Sequence, residues 1–414
     1  MTNNSKRILI LGLNFFPELT GIGKYTGEFA AYLAGQGHDV RVVTTPPYYP
    51  QWQVLPEYRW WQYRHETWQG VQIQRSPLWV PRQPSGLKRL IHLASYALSS
   101  FPALLGQLAW RPEIIICVAP AFFSAPFAWL TARITGAKCW LHIQDFELDA
   151  ATNLGMLPTD HFLTRWAAWG ESWLLARFDR VSSISESMVT RLLEKGVSAR
   201  QAILFPNWVD TDEIFPLQSG QQSLRETLGI PGSRTIILYS GNLGQKQGLE
   251  TLLAAARQLQ NHSALHFIIC GDGAARAELE LAAQGLSNVQ FLPLQPPERL
   301  NQLLNSADIH LLPQRADAAD LVMPSKLLGM FASGKAVIAT ANSGTELSNV
   351  VSQAGVVVPP GDQAALCQAL LDLAASPQLR EKLGKKGRDF VCKNWGKPGV
   401  LSRFEAQVQE VLQS

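Results

Sequence analysis

The chain has 414 residues, too many for one ordinary hydrophobic core, so two domains are expected. Apolar residues make up 46%, ample for burial, and 36 Lys and Arg against 33 Asp and Glu leave a net charge of +3, which excludes a general nucleic-acid binder. The five cysteines (Cys117, Cys139, Cys270, Cys367, Cys392) are scattered with no Cys-x-x-Cys pair, which argues against a disulfide framework or a zinc site and fits a reduced, cytoplasmic setting.

Residues 1–7 are short and polar and run straight into a strand at 8–11, so no secretory signal is expected. The turn that follows leads into a helix over 23–34. It fails the P-loop pattern, since Glu18 and Tyr25 occupy its defining places, and Thr26 stands where a dinucleotide fingerprint needs its third Gly. What remains is an entrance lined by Gly21 and Gly23 that admits a phosphate or a sugar to backbone N–H groups. A strand over 40–44 precedes an irregular segment, 45–68, rich in aromatics and proline. It is long for a connection; it either forms an acceptor platform or packs on its own domain. A further strand falls at 71–74.

Segment 87–110 is apolar but interrupted by Lys88, Arg89, His92 and Pro102, a poor membrane span. It is either a crossover helix packed on the sheet or a helix lying flat on a bilayer, with Arg82, Lys88 and Arg89 toward anionic lipid. Thirteen tryptophans, many of them before residue 175, leave sugar stacking, a membrane interface and core packing all open. Strands at 114–118 and 139–143 flank an apolar helix over 121–134. His142 closes the second of them, and Asp145, Glu147 and Asp149 follow on a loop. His142 and Asp145 are the candidate catalytic residues, contacting a sugar or activating a hydroxyl. A metal site on the three acids, or a plain solvated loop, are the alternatives. Strands at 181–184 and 202–205 complete an alternation that implies a parallel sheet covered on both faces.

The pattern breaks at Pro206, and 217–234 is polar. The expected organisation is a Rossmann-like acceptor-binding domain over 1–206, a hinge over 207–234 and a Rossmann-like nucleotide-sugar-binding domain over 235–390. A helical segment over 391–414 is expected to pack back on the N-terminal domain. Strands of the second half are expected at 236–239, 266–270, 289–292, 309–312, 336–340 and 356–358. The strand at 236–239 runs into Gly241-Asn242-Leu243-Gly244-Gln245-Lys246, where an open α/β sheet binds ligands and where N–H groups plus a cation suit phosphate. Two more turns converge with it in a doubly wound sheet: one at Gly271, and one at Ser325-Lys326-Leu327, where Ser325 is expected to cap a helix starting at Lys326. Glu346 is a candidate for a ribose or sugar hydroxyl, although Ser343 and Glu346 also have the spacing of a capping box, and that structural role is ranked first.

Segments Pro17 to Glu28, Gly37 to Val43, Pro206 to Asp212, Met323 to Lys335 and Val358 to Asp362 together resemble retaining glycosyltransferases of family 4, with the GT-B fold, over essentially the whole chain. Residues 17–53 look closest to those of colanic acid (exopolysaccharide) biosynthesis. The resemblance implies α/β architecture with two Rossmann-like parallel-sheet domains facing an interdomain cleft. It also implies a nucleotide-diphosphate-sugar donor, GDP-fucose or a UDP-sugar, and a lipid-linked or growing saccharide acceptor at the cytoplasmic face of a membrane. No metal, cofactor or nucleic acid is implied. Donor contacts would fall to Gly21, Gly23, Gly241, Asn242, Gly244, Lys246, Gly271, Ser325, Lys326, Leu327 and Glu346. The chain departs from the family where two Glu residues are usual: Leu321 and Gly329 stand there, and Asn242 and Gln247 replace a typical Arg and Lys. A same-fold nucleotide-sugar epimerase and a catalytically silent sugar-nucleotide-binding partner are the rivals, with a nicotinamide oxidoreductase behind them.

Overall fold

The computed structural model describes residues 5–120, 122–146, 149, 162–218, 224–244, 247–316 and 323–414, with the backbone alone for 162–164. The chain divides into two compact units, Met1–Pro206 with Leu401–Ser414, and Asn207–Val400.

In the first unit the strands are β1 (Arg7–Gly12), β2 (Asp39–Thr44), β3 (Arg64–Trp68), β4 (Val71–Arg75), β5 (Ile114–Ala119), β6 (Lys138–Ile143), β7 (Arg180–Ser183) and β8 (Ala202–Leu204). They lie in the order β3-β4-β2-β1-β5-β6-β7-β8. All neighbours pair in parallel except β3, which runs antiparallel to β4. Apolar runs such as Ile8-Leu9-Ile10-Leu11 and Ile114-Ile115-Ile116 form strands because both sheet faces are covered. Helices Gly86–Leu105, Ala125–Thr135, Phe162–Leu175 and Glu186–Glu194 join successive strands in one direction across the sheet. They share one core, with Tyr96, Ala128, Leu175 and Met188 packed over Leu9, Cys117 and Leu141. Right-handed crossovers put them on a single face. The other face carries helix Gly21–Gly35 and the chain's end: Phe404 stacks on Phe205 at 4.0 Å and meets Phe29 and Trp140 at 4.8 and 4.7 Å.

Strand β3 lies inside the segment read as irregular. Arg64-His-Glu-Thr-Trp68 lacks an apolar run because it is a largely exposed edge strand, and its ends are tied down from within: Trp68 stacks on Phe16 at 4.1 Å, and Arg64 lies over Tyr58 at 4.6 Å. The first helix begins at Gly21, two residues earlier than expected.

The second unit contains β9 (Thr235–Ser240), β10 (Leu265–Cys270), β11 (Val289–Leu292), β12 (Ile309–Leu312), β13 (Ala336–Thr340) and β14 (Val356–Val358), all parallel, in the order β11-β10-β9-β12-β13-β14. The direction in which successive strands are added to the sheet reverses between β1 and β5 in the first sheet and between β9 and β12 in the second. The carboxyl ends of those pairs are where open α/β sheets bind ligands. Among the described residues no helix is long and apolar enough to cross a membrane.

Candidate functional site

The switch point of the second sheet brings together the turn leaving β9 and the segment leaving β12. Strand β9 is followed directly by Gly241, whose φ of 144° suits glycine alone. A β-carbon there would lie 3.2 Å from the Lys326 Nζ atom, so the bare backbone is what lets the lysine reach the strand's end. Lys326 Nζ donates to Tyr239 Oη at 2.8 Å and to Gln247 Oε1 at 3.0 Å, and lies 4.5 Å from the centre of the Tyr239 ring. The tyrosine in turn donates to the Asn242 carbonyl at 2.7 Å. Both acceptors of the ammonium are neutral, and no described carboxylate is paired with it. Burial alone pulls its pKa down to about 8. Lys326 is therefore a desolvated cation with a donor to spare.

Three expectations at this site need correction. Ser325 does not cap the helix Lys326–Ala332: its backbone is already helical, and its side chain makes no cap hydrogen bond. The first turn closes on main-chain carbonyls instead, with Leu327 N donating to Pro324 O at 3.0 Å and Leu328 N to Ser325 O at 3.2 Å. Leu327 thus offers neither a free N–H nor a surface, because its side chain is fully buried. Nor does Glu346 form a capping box with Ser343. Thr345 is the cap, its Oγ1 accepting from Ser348 N at 3.2 Å, and Glu346 opens the helix Glu346–Ala354 after β13, half-buried.

Gly271 is glycine for a packing reason. A β-carbon there would overlap the Gly241 carbonyl oxygen, and one on Gly273 would lie 2.6 Å from the Leu243 carbonyl. The two turns are zipped backbone to backbone: Gly241 N to Cys270 O at 2.9 Å, Leu243 N to Asp272 O at 2.8 Å and Ala275 N to Leu243 O at 2.9 Å. The Asn242 side chain lies between Gly244 and Gly273, 3.1 Å and 2.7 Å from where their β-carbons would be. Lys246 lies outside the described residues. At Gly329 a β-carbon would come within 3.3 Å of Leu304 Cδ1, so a carboxylate side chain there would have to displace the core.

In the first unit, Gly21 has a φ of 60° and starts the helix after β1. Gly23 faces Glu18: a β-carbon would lie 2.7 Å from both the Cβ and the Oε2 atom of that side chain. Sequence reasoning missed Glu18, because a lone buried carboxylate leaves no periodic signal. Its Oε1 accepts from Tyr48 N and Tyr49 N, both at 2.9 Å, and its Oε2 from Asn14 Nδ2 at 2.9 Å. Burial raises its pKa, against the pull of those donors and of the Arg75 charge. Arg75, buried itself, binds Glu66, Thr45 O at 2.7 Å and Phe16 O at 2.6 Å. The glycine entrance is thus lined on one side by the protein's own carboxylate, which favours a hydroxyl there over a phosphate.

His142 is only 4% exposed. Its Nδ1 meets Ser182 Oγ at 2.9 Å, the same oxygen accepts from Trp140 Nε1 at 2.8 Å, and its ring lies 4.9 Å from Phe205. Desolvation pulls its pKa down to about 3, so it is a neutral hydrogen-bonding group, better suited to contacting a sugar than to activating a hydroxyl. Asp145 is exposed beyond the end of β6. Crowding by surrounding protein raises its pKa, opposed by the Phe146 N–H and Arg89 and reinforced by Asp149. Asp149 is committed elsewhere, to Arg191 Nε at 2.9 Å and Lys195 Nζ at 2.8 Å, and that same ammonium binds Glu171 at 2.6 Å.

Residues 20–208 match the family model described as Glycosyl transferase 4-like domain, and residues 220–390 match Glycosyl transferases group 1. An Escherichia coli (strain K12) protein, named as the colanic acid biosynthesis glycosyl transferase WcaI, is 43% identical over 406 residues, spanning 96% of this chain and 98% of its own. Sucrose-phosphate synthase from Thermosynechococcus elongatus superposes with a TM-score of 0.74 at 19% identity, over 99% of this chain and 100% of that one. Anabaena Alr3699/HepE, solved with UDP and glucose, gives 0.68 at 15% identity over 97% and 99%. At these identities the superpositions establish the shared GT-B fold and nothing further.

Proposed function

This chain belongs to the family 4 glycosyltransferases, and from that premise we propose that it moves a sugar, with retention, from a nucleotide-diphosphate sugar to a lipid-linked or growing exopolysaccharide acceptor. The observation that carries the donor half of this reading is Lys326, a half-buried ammonium hydrogen-bonded only to neutral oxygens among the described residues, at the switch point of the second sheet. A diphosphate would supply the charge it lacks, and the protein-borne cation makes a metal unnecessary. Lys246 and the Asn242–Gly244 backbone are proposed to add contacts to the diphosphate, and Glu346 to bind a donor hydroxyl.

The acceptor hydroxyl attacks the anomeric carbon from the side of the leaving group. As the carbon–oxygen bond to the diphosphate breaks and the new glycosidic bond forms, the hydroxyl proton passes to the leaving phosphate oxygen. No protein base is required in this scheme. His142 and Asp145 orient hydroxyl groups in this scheme, and Gly21 and Gly23 leave room for one. The relative named for colanic acid biosynthesis supports an exopolysaccharide product, with GDP-fucose or a UDP-sugar as donor, made at the cytoplasmic face of a membrane that helix Gly86–Leu105 helps to contact.

Transfer from these donors to a membrane lipid extract tests the reading. The expected product is a new glycolipid whose anomeric configuration matches the donor's. Inverted product would remove retention, and donor turnover without any acceptor would point to an epimerase.

A further inference from the structure

Three of the helices on one face of the first sheet, Gly86–Leu105, Ala125–Thr135 and Phe162–Leu175, touch through their aromatic rings. Phe101 meets Phe127 at 4.9 Å and Trp129 meets Trp173 at 6.0 Å. Their outward surface is unlike that of a protein that faces water alone. Trp166, Trp169 and Trp173 follow the i, i+3, i+7 spacing of a single helical stripe and are 67%, 62% and 41% exposed. Leu98 on the first helix and Ile134 on the second are 70% and 58% exposed. Large apolar side chains clustered on adjacent elements mark an interaction surface.

Charge identifies the occupant. The three helices contain one acidic residue, Glu171, which is buried and bound to Lys195 at 2.6 Å. Lys88, Arg89, Arg133 and Arg165 are exposed on the same helices, and Arg177 lies just beyond, 3.6 Å from the Trp173 ring centre. Among the described residues of these three helices the exposed side chains are therefore apolar, cationic or uncharged, with no exposed carboxylate, in a chain that carries 33 acidic residues. Indole rings prefer the headgroup level of a bilayer, where the ring is dehydrated and the N–H keeps a partner, and arginines beside them meet lipid phosphates. We propose that this three-helix face, centred on Trp166, Trp169 and Trp173, docks the protein on an anionic bilayer. The proposal deepens the reading of a lipid-linked acceptor and rests on it for its purpose; it moves the centre of contact from the helix Gly86–Leu105 to the tryptophan stripe.

The test is co-sedimentation of the full chain with phosphatidylcholine vesicles with and without phosphatidylglycerol, in parallel with nucleotide titration. Binding is expected to the anionic vesicles, weakening with salt, with a blue shift of tryptophan emission. Trp166→Ser/Trp169→Ser/Trp173→Ser should lower vesicle affinity at least tenfold, and Arg133→Glu/Arg165→Glu roughly fivefold for each cation removed. Both variants should keep the wild-type circular dichroism and nucleotide binding, because none of these residues belongs to the nucleotide site. Unchanged vesicle binding by the triple variant, or none by the wild type, overturns the proposal while leaving the donor reading intact. A dimer by light scattering that the triple variant dissociates would assign the face to a second copy instead. Loss of nucleotide binding in wild type with vesicle binding preserved would sink the donor reading alone.

Discussion

A lysine ammonium taken out of water without a counter-ion is costly, and Lys326 bears that cost at neutral pH. Its shift from 10.5 to about 8 corresponds to a penalty on the order of 3 kcal/mol on the charged form. The unfolded chain binds the proton more tightly, so the penalty is present in full below pH 8 and is relieved as pH rises toward 10.5. Lys326→Met should therefore leave the protein at least as stable at pH 7 in chemical denaturation, even though it removes the proposed diphosphate ligand. Binding of a nucleoside diphosphate should require the protonated amine. Affinity should fall as pH rises through about 8, with proton uptake on binding above it, and Lys326→Arg, which stays charged, should flatten that dependence. His142 and His310 behave in the opposite sense on the acid side. Both are buried, neutral and pulled down to about 3. Their contribution to stability is intact above pH 6.5 and is lost progressively as pH falls toward 3, because only the unfolded chain takes up the protons. Replacing either with Gln should shrink the acid sensitivity seen by thermal melts across that window.

At the scale of elements, the turns after β9 and β10 act as one unit. Gly271→Ala would drive a methyl group into the Gly241 carbonyl at a φ of 150°. The expected cost is on the order of 2–4 kcal/mol in urea titration, with nucleotide binding lost because the Gly241 turn must move. This pair also shows where sequence reading stops. Glycine spacing marked both turns, yet nothing local tells whether a ligand or another backbone approaches a glycine. At Gly23 the approaching group is Glu18, and at Gly271 it is the Gly241 carbonyl. The buried strands were legible because apolar runs such as Ile236 to Tyr239 and Phe267 to Cys270 have no other use in a chain of this kind. Polar β3 was not, because pairing along β4 and stacking of Trp68 on Phe16 hold it without an apolar pattern. Ser325 had the right residue type for a cap, but the Pro324 and Ser325 carbonyls accept the Leu327 and Leu328 N–H groups that a capping hydroxyl would have taken.

At the scale of the whole molecule, two parallel sheets follow from strand–helix alternation, and the break at Pro206 coincides with the division between the units. The last residues, Leu401–Ser414, belong to the first unit through Phe404, through Glu405 hydrogen-bonded to Tyr32 at 2.9 Å, and through Glu410 paired with Arg180 at 3.2 Å. Ending the chain after Val400 should expose the Phe29, Trp140 and Phe205 rings and lower the melting transition of the first unit, while that of the second is unchanged; differential scanning calorimetry resolves the two. The proposed donor recognition centres on Lys326 in the second unit, and the most direct test is isothermal titration of GDP, UDP, ADP and dTDP into the full chain and its Lys326→Met variant, with and without magnesium. The account predicts that one nucleotide binds selectively without magnesium and at least tenfold more weakly to the variant. Binding that needs magnesium, or that Lys326→Met leaves unchanged, would contradict it.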